Sequence, residues 1–282
     1  MIPSELVLPL TVCGAIATAC WLLSLATREY SWVDRIWSVV PPLYVGLLAH
    51  AAGWQDARLD LMTALAVLWG ARLTFNFARK GGYARGGEDY RWAVLRQKMK
   101  GWQWQLFNLF FVAGYQNLLL LLIALPAWTA FRHPAPLGPL DLVAASTFLV
   151  LLAGELLADQ QQWRFQQAKK ARAASRTREP RGFLDTGLWA FSRHPNFFCE
   201  LGQWWMVYLF AVAASGTPLH ATLAGPVLLT LLFHGSANFT ESISASKYPL
   251  YAEYQRRVSR IVPMPPRGRG AAEAIITEER RG

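Results

Sequence analysis

Residues 105–131 read QLFNLFFVAGYQNLLLLLIALPAWTAF, a run without a single charged side chain. A helix needs about 20 mostly apolar residues to cross a bilayer, because each residue adds about 1.5 Å against a hydrocarbon core of ~30 Å. This run is long enough, and it predicts a membrane-spanning helix. Six further stretches are also long and mostly apolar. They are residues 6–27, 33–52, 61–78, 140–158, 196–214 and 219–237.

The composition of the 282-residue chain indicates the same class of protein. Hydrophobic residues make up 53% and charged residues 16%, whereas soluble domains carry about 25% charge. The 13 Trp are typical of membrane–water boundaries. Three Cys, all in apolar runs, are too few for a disulfide framework. We therefore predict an all-α, polytopic integral membrane protein with seven transmembrane helices.

Basic residues predict how the chain is oriented. Most of the 28 Lys and Arg fall in 79–104, in 160–195 and after residue 237. Cytoplasmic loops are rich in Lys and Arg, so these segments and the C-terminus are expected inside and the N-terminus outside. The net charge of +10 is then a topology signal, and no nucleic-acid partner is expected. Residues 1–266 are expected to form one membrane domain, and 267–282 a disordered tail.

Ionisable side chains lie inside or beside the predicted spans, where they are costly unless they are paired or functional. In the predicted topology all of them fall in the cytoplasmic half of the membrane. Short acidic side chains cannot reach the interface as Lys and Arg do. We therefore predict a polar pocket open to the cytoplasm, the alternative being a ring of structural ion pairs. The residues are Asp34, Arg35, Arg72, Glu155, Asp159, Glu200 and Glu241.

Two pairs of polar residues share a spacing that places both side chains on one helix face. Glu155 and Asp159 form the first pair, and Asn196 and Glu200 the second. Two buried carboxylates need donors between them, which ribose hydroxyls, an adenine amino group or Arg side chains would supply. A metal ion held with His194 or His234 is the rival ligand. No metal-binding spacing such as HExxH occurs, so no metal is predicted.

Glycine and arginine are interleaved in two basic segments, 81–91 (GGYARGGEDYR) and 178–182 (REPRG). Glycines bring backbone N–H groups close to a phosphate, and arginines neutralise it. Neither segment is a Walker loop or a GxGxxG fingerprint, and either alone would suit an anionic lipid. Beside a carboxylate-lined pocket, they predict a ligand with both phosphates and hydroxyls.

Residues 187–200, GLWAFSRHPNFFCE, resemble the signature G-L-W-x-x-S-R-H-P-N-Y-F-G-E of a bacterial membrane family. This family is grouped with the C-terminal domain of steroid 5-alpha-reductases. Residues 251–263, YAEYQRRVSRIVP, are similar to its closing motif. Residues 33–38 and 87–91 look like two of its other motifs, so the resemblance covers most of the chain.

The resemblance implies a seven-helix reductase of the bacterial inner membrane that uses NADPH. Hydride would pass to the β-carbon of an α,β-unsaturated carbonyl in a steroid or another lipophilic substrate, which enters from the surrounding membrane lipids. No protein partner is implied. The cofactor-binding residues that follow are Glu155, Asp159, Arg178, Arg193, His194, Asn196, Glu200, Glu241 and Tyr254.

The catalytic acid does not carry over from the resemblance. Steroid reductases polarise the substrate carbonyl with a Gln-Glu pair and a Tyr that this chain lacks. Conjugate reduction needs an acid or cation to stabilise the enolate oxygen, and Asp34 or Arg72 is predicted to supply it. The alternative is structural, with Asp34 paired with Arg72 or Arg35. Steroid and other unsaturated lipids stay open as substrates.

Two rival functions remain. Residues 193–195 together with Glu241 and Tyr254 are also similar to isoprenylcysteine carboxyl and phospholipid methyltransferases, which hold S-adenosylmethionine. Methyl transfer needs only proximity and alignment of the donor, so the missing acid would not matter. A transporter or lipid-binding scaffold is the third interpretation. It predicts polar residues across the whole bilayer rather than at one face.

Overall fold

A computed structural model describes residues 2–175 and 181–268, and this part of the chain is helical with one isolated bridge, between Ser192 and Ser259. Apolar runs fold as helices because a helix satisfies its backbone N–H and C=O groups internally. The α-helices, in chain order, are α1 (Ser4–Thr27), α2 (Trp32–Ile36), α3 (Val40–Ala51), α4 (Ala57–Arg79), α5 (Tyr90–Gln97), α6 (Gly101–Phe107), α7 (Gln116–Ala124), α8 (Pro126–Arg132), α9 (Pro139–Ala174), α10 (Pro195–Ser215), α11 (Ala224–Lys247) and α12 (Tyr251–Arg257).

Five helical stretches of the described chain are long and apolar enough to cross a membrane. The all-helical class and the presence of membrane-spanning helices agree with the sequence prediction, but the predicted number of seven is not reached. Residues 33–52 and 219–237 do not qualify. The five stretches are Ser4–Thr27, Ala57–Arg79, Gly101–Arg132, Pro139–Ala174 and Pro195–Ser215.

The second predicted span is divided by a turn at residues 37–39, which separates α2 from α3. Pro41 and Pro42 lie in the first turn of α3, where a missing N–H leaves no hydrogen bond unmade. Two prolines inside a predicted span indicate a kink, and this prediction is wrong, because here they begin a new helix. The 12 residues of α3 rise only about 18 Å, which is short of the hydrocarbon core.

Helix α9 continues well beyond its predicted end at residue 158. Its 36 residues rise about 54 Å, far more than the hydrocarbon core requires. The polar extension is rich in Gln, Ala, Lys and Arg, which are all good helix formers. Residues 215–218, SGTP, predict a tight turn between two helices. In the structure α10 ends at Ser215, and Gly216 follows with a φ of +69° before α11 begins.

The stretch Gly101–Arg132 contains a π-helix, Asn108–Tyr115, between α6 and α7. Its wider turn brings side chains four residues apart into line. The rings of Phe107 and Phe111 stack with centroids 4.8 Å apart, and those of Phe111 and Tyr115 at 5.5 Å. The hydropathy of this stretch predicted a span but gave no sign of the change in helix type.

The chain divides into two compact units, described separately below. The first comprises the residues up to Ala153 together with Leu201–Phe233, and the second comprises Gly154–Glu200 and the residues from His234. In the first unit α3 packs against α4 and α7, and α1 packs against α7 and the π-helix. In the second, the closing segment of the chain, residues 251–263, packs against Phe183 and Tyr248. Its contacting side chains are Tyr251, Tyr254 and Val258.

Gly70 lies where α4 passes the turn that follows α2. A methyl group at Gly70 would overlap the backbone carbonyl oxygen of Ser38 and lie 3.1 Å from Pro42 Cγ. We expect Gly70→Ala to lower the free energy of unfolding in detergent by about 1–3 kcal/mol, since overpacking against backbone cannot relax cheaply.

Gly14→Ala is the matched control for this prediction, because it also lies within a long apolar helix but has no atom within 4 Å of the added methyl group. Thermal unfolding of the two variants measures the difference. Equal stability of the two variants would contradict the close approach of α4 to Ser38.

Candidate functional site

The carboxylate of Glu241, on α11, is the centre of a buried hydrogen-bond network in the second unit. Arg193 donates to it from Nε (2.8 Å) and Nη2 (3.1 Å), and Gln255 donates from Nε2 (2.9 Å). His194 Nε2 lies 3.0 Å from Oε1 and carries the proton, because a carboxylate only accepts. Four donors therefore compensate the buried charge of Glu241.

These hydrogen bonds govern the acidity of Glu241. Burial alone would raise the pKa of its carboxyl, but the donors on His194, Arg193 and Gln255 outweigh that effect and lower the pKa to about 2. Glu241 is thus a stable carboxylate at any physiological pH. It is unsuited to proton transfer, and its chemistry is structural.

The remaining donors of the motif at 192–195 are bound by the closing segment of the chain. Arg193 Nη1 donates to the carbonyl of Gln255 at 2.8 Å and also to that of Val258. Ser192 Oγ donates to the carbonyl of Ile261 at 2.7 Å. The structure thus brings the predicted cofactor residues Arg193, His194 and Glu241 together, but their polar groups bond to one another and to the closing segment. We call the network of Arg193, His194, Glu241 and Gln255 the brace.

Tyr254, another predicted cofactor residue, completes this brace from α12. Its hydroxyl donates to the backbone carbonyl of Trp189, and its ring packs 5.2 Å from that of Phe183. Burial raises the pKa of its phenol, so the proton stays on the hydroxyl. Tyr254 therefore fixes the segment that precedes the motif.

Helix α9 packs directly against the segment 187–199. Gln161 Oε1 accepts from the Leu188 N–H at 3.0 Å, and a methyl group at Gly154 would lie 3.1 Å from Cys199 Sγ. Gly187 has a φ of +64°, and a side chain there would collide with Gln161. The close approach at both ends fixes the face of α9 between residues 154 and 161 against the start of α10.

The predicted acidic residues of both i, i+4 pairs lie along these two packed segments. Glu155 and Asp159 on α9 are buried, with 1% and 4% of their surface exposed, and Glu200 on α10 is buried to a similar degree. Glu155 follows Gly154 in the chain, and Glu200 follows Cys199, so the packing of that pair brings the carboxylates into one region of the unit.

These carboxylates do not form part of a metal-binding group. Across residues 2–175 and 181–268, no group of three or more His, Cys, Asp or Glu side chains is arranged to hold a metal ion. Acceptors that are spread along two helix faces suit an extended ligand that donates several hydrogen bonds.

Asn196, at the start of α10, has an amide whose hydrogen bonding is incomplete. Its Oδ1 is buried and has no hydrogen-bond partner in the described part of the protein. Leaving such an acceptor unpaired costs about 1–3 kcal/mol. Because Asn196 is four residues before Glu200 on α10, a ligand that reaches one of them along that helix face reaches the other.

Asp34 lies in the first unit and is anchored by its neighbours. Trp92 Nε1 donates to Asp34 Oδ2 at 2.8 Å. Burial and the nearby carboxylate of Asp89 raise the pKa of Asp34, which favours the protonated form. Arg35, the alternative partner considered from the sequence, instead bonds to Glu29 at 2.6 Å. Arg72 is buried on α4 in the same unit.

The glycine- and arginine-rich segment 81–91 is folded tightly against residues 29–35. The Gly86 N–H donates to Glu29 at 3.0 Å, and the Asp89 N–H donates to Ser31 Oγ at 3.0 Å. The backbone donors that the sequence assigned to a phosphate are, at these positions, used within the protein. Arg178, the remaining predicted cofactor residue, and the tail from residue 269 lie outside the described residues.

Sequence reasoning did not identify Gln255 and Gln161, which both anchor the motif. Gln255 directly follows Tyr254 in the closing motif, and this position was the available signal. Gln161 gave none, because a Gln on a polar helix extension resembles any solvated residue.

Fold and site together define a helical protein with membrane-spanning helices, a buried ionic brace and an acceptor-rich region beside it. Residues 20–258 match the family model described as "Protein of unknown function (DUF1295)", and the chain belongs to this family. It is 40% identical to an uncharacterized protein of Schizosaccharomyces pombe (strain 972 / ATCC 24843) over 258 residues, which cover 86% of this chain and 75% of the relative. No solved structure matches the chain. The relation to steroid reductases stays a prediction, and the yeast relative gives no support for a specifically bacterial location.

The hydrogen bonds of the brace should stabilise the second unit against unfolding. Glu241→Gln leaves the buried Arg193 without its counter-ion, and we expect a loss of about 3–5 kcal/mol in the free energy of unfolding. Asp185→Asn breaks a more exposed pair with Arg181 in the same unit, and should cost less than about 1 kcal/mol.

Lowering the pH should weaken the same interaction in the wild-type protein. Since the pKa of Glu241 is lowered from 4.5 to about 2, its stabilisation is complete above pH 4.5 and is lost as the pH falls towards 2. Unfolding measured across this range should show a smaller pH dependence in Glu241→Gln. An identical dependence in both proteins would refute the brace.

Proposed function

We propose that the protein is an integral-membrane reductase that binds NADPH in its second unit. In this proposal it reduces a carbon–carbon double bond conjugated to a carbonyl, in a steroid-like or other lipophilic substrate taken from the bilayer. The observation that carries the proposal is the buried, unpaired Oδ1 of Asn196 beside the buried carboxylate of Glu200. A ligand donor at that oxygen would remove the cost of leaving it unpaired.

The residues fit the donor groups of a dinucleotide. Ribose hydroxyls, the adenine amino group and the nicotinamide carboxamide are all donors, and Glu155, Asp159 and Glu200 are acceptors buried along two packed segments. Bound NADPH supplies the hydride. The protein's part is to orient the cofactor through these acceptors and through the brace that fixes the start of α10.

The cytoplasmic side of a cell membrane is the proposed location of this site. The basic residues favour that side, with the N-terminus outside. The proposal keeps seven crossings, because it adds α3 and residues 219–237 to the five long stretches. The extension of α9 beyond the hydrocarbon core gives the acidic pair a place at the membrane boundary.

Asp34 is the proposed acid. Burial raises the pKa of its carboxyl, which favours the protonated form, and Trp92 donates a hydrogen bond to the side chain. In the reaction this proton would pass to, or hydrogen-bond with, the carbonyl oxygen of the substrate as negative charge develops there. Arg72, a buried cation of the same unit, is the second group proposed to stabilise that charge.

One observation favours S-adenosylmethionine as the alternative cofactor. Arg193, the arginine of the motif, uses four of its five N–H donors on Glu241 and on backbone carbonyls, which leaves at most one N–H for a phosphate. The buried carboxylates of this unit suit a cationic ligand. On this alternative the protein is a membrane methyltransferase, and Asp34 is structural.

Asn196→Ala should weaken the binding of NADPH about tenfold, because one buried hydrogen bond to the ligand is lost. Equilibrium titration of the purified protein with NADPH, and separately with S-adenosylmethionine, measures this. Gln167→Ala, at an exposed amide on α9, is the matched control and should bind as the wild type does. An unchanged affinity for both cofactors in Asn196→Ala would remove Asn196 from the site.

Asp34→Asn should lower kcat for the reduction of a Δ4-3-oxosteroid at least a hundredfold and leave the Kd for NADPH unchanged, since it removes only the proton donor. Trp92→Phe removes the hydrogen bond that favours the Asp34 carboxylate, so it should raise the pKa of Asp34. The loss of activity at alkaline pH, where Asp34 is deprotonated, should then begin at a higher pH. Equal losses of turnover and of cofactor affinity in Asp34→Asn would instead indicate a structural role.

A further inference from the structure

Two short helices of the first unit, α2 and α5, are joined to each other where each of them begins. The Tyr30 N–H donates to Glu88 Oε1, and the Asp89 N–H donates to Ser31 Oγ at 3.0 Å. Ser31 and Asp89 are the N-cap residues of α2 and α5. The two hydrogen bonds run in opposite directions, so each helix start gives the other one backbone donor and one side-chain acceptor. We call these four residues the joint.

The joint sets the register of the two helices. Asp34 is the third residue of α2 and Trp92 is the third residue of α5, and Trp92 Nε1 donates to Asp34 Oδ2 at 2.8 Å. The two N-caps are thus paired with each other, and so are the two third residues. Successive helix residues point about 100° apart. A slip of one residue at the joint would therefore turn the indole away from the carboxyl.

Asp89 also forms an ion pair at the joint. Its side chain caps α5 by accepting from the Arg91 N–H at 2.9 Å, and the Arg91 guanidinium donates to both of its oxygens, at 3.0 and 2.7 Å. Both side chains are partly exposed, with 29% of Arg91 and 23% of Asp89 accessible to solvent. An ion pair as exposed as this one contributes less than about 1 kcal/mol to stability. Its removal should therefore leave the protein folded.

Among the described residues, the charges that act on Asp34 most strongly belong to this ion pair. A negative charge beside a carboxyl disfavours its ionised form, and a positive charge favours it. Burial and the carboxylate of Asp89 raise the pKa of Asp34, and Arg91 opposes them. The Cys20 thiol also interacts with Asp34 from α1, but a thiol carries no charge while it is protonated. Arg35, the next residue, bonds to a glutamate instead.

We propose that Asp89 and Arg91 are a positioning pair for Asp34. Asp89 holds the joint in register and keeps a negative charge beside the carboxyl, and Arg91 limits the effect of that charge. The pair does not need to touch the substrate, because it acts through Asp34, and its role rests on the acid function proposed above. Conjugate reduction requires a carboxyl that retains its proton until negative charge develops on the substrate oxygen.

Two variants separate this role from a purely structural one, because each removes one charge of the same ion pair. Asp89→Asn keeps an acceptor that caps α5 but removes the negative charge, so Asp34 should ionise at a lower pH. Arg91→Gln leaves the Asp89 carboxylate uncompensated, so Asp34 should ionise at a higher pH. We expect the midpoint of the Asp34 titration to move by about one pH unit in each variant, in opposite directions.

Infrared spectroscopy of the purified full-length protein measures this midpoint without substrate or cofactor. The carbonyl band of the protonated Asp34 carboxyl is isolated by subtracting the spectrum of the same protein with Asp34→Asn, and it is followed as the pH is raised. Arg96→Gln is the matched control, because it removes an exposed cation from the same helix. The Arg96 guanidinium lies over the Tyr30 ring at 5.7 Å, and its loss should leave the midpoint unchanged.

Shifts of both variants in the same direction, or an unchanged midpoint in Asp89→Asn, would overturn the proposal, as would a wild-type protein without an Asp34 band. If Arg91→Gln does not fold, Asp89→Asn still decides, since it retains the cap. Failure of the reductase proposal would look different. Opposite shifts in a protein that reduces no lipid would refute the reductase and retain the pair, whereas turnover without these shifts would refute the pair alone.

Discussion

The second unit depends on the compensation of one buried charge, the carboxylate of Glu241. Three parts of the chain meet there: α11, the motif at the start of α10, and the segment that closes the chain. Without Glu241 the buried guanidinium of Arg193 would keep only carbonyl partners, and the loops it joins would have no common anchor. The brace can be essential for ligand binding without contacting the ligand itself. It sets where α10 begins, and with it the positions of Asn196 and Glu200.

Buried polar groups in the described part of the chain fall into two kinds, those with hydrogen-bond partners in the chain and those without. Arg58 and Asp141 in the first unit form a bidentate ion pair, at 2.7 and 2.9 Å, and Arg58 also donates to two backbone carbonyls. Such groups are satisfied within the chain, as Glu241 is. The amide oxygen of Asn196 is not. An unpaired buried acceptor is costly enough that a partner from outside the chain is the natural explanation.

The sequence predicted much of the fold because hydropathy and helix length are local properties. The long spans and the turn after α10 follow from runs of apolar residues and from Gly216. The division of the second predicted span does not, since Pro41 and Pro42 are equally compatible with a kinked helix and with the first turn of a new one. The π-helix was also invisible, because Phe107, Phe111 and Tyr115 fit an α-helical spacing just as well.

The sequence predicted which polar residues lie in one unit but not which partners they have. The motif at 192–195 and the i, i+4 pairs do lie in one unit, yet the sequence could not say that Arg193 and His194 face Glu241 rather than a ligand. Partner choice among buried polar groups depends on three-dimensional packing. Arg35 illustrates this: it bonds to Glu29, six residues before it, and not to the adjacent Asp34.

Mass spectrometry of the small molecules released from the purified protein is the most direct test of the reductase proposal. Bound NADPH or NADP⁺ is the expected result, with its amount reduced in Asn196→Ala. S-adenosylmethionine, or its demethylated product, would contradict the reductase and favour methyl transfer. A protein that carries neither and does not take up added NADPH would contradict a dinucleotide site in the second unit.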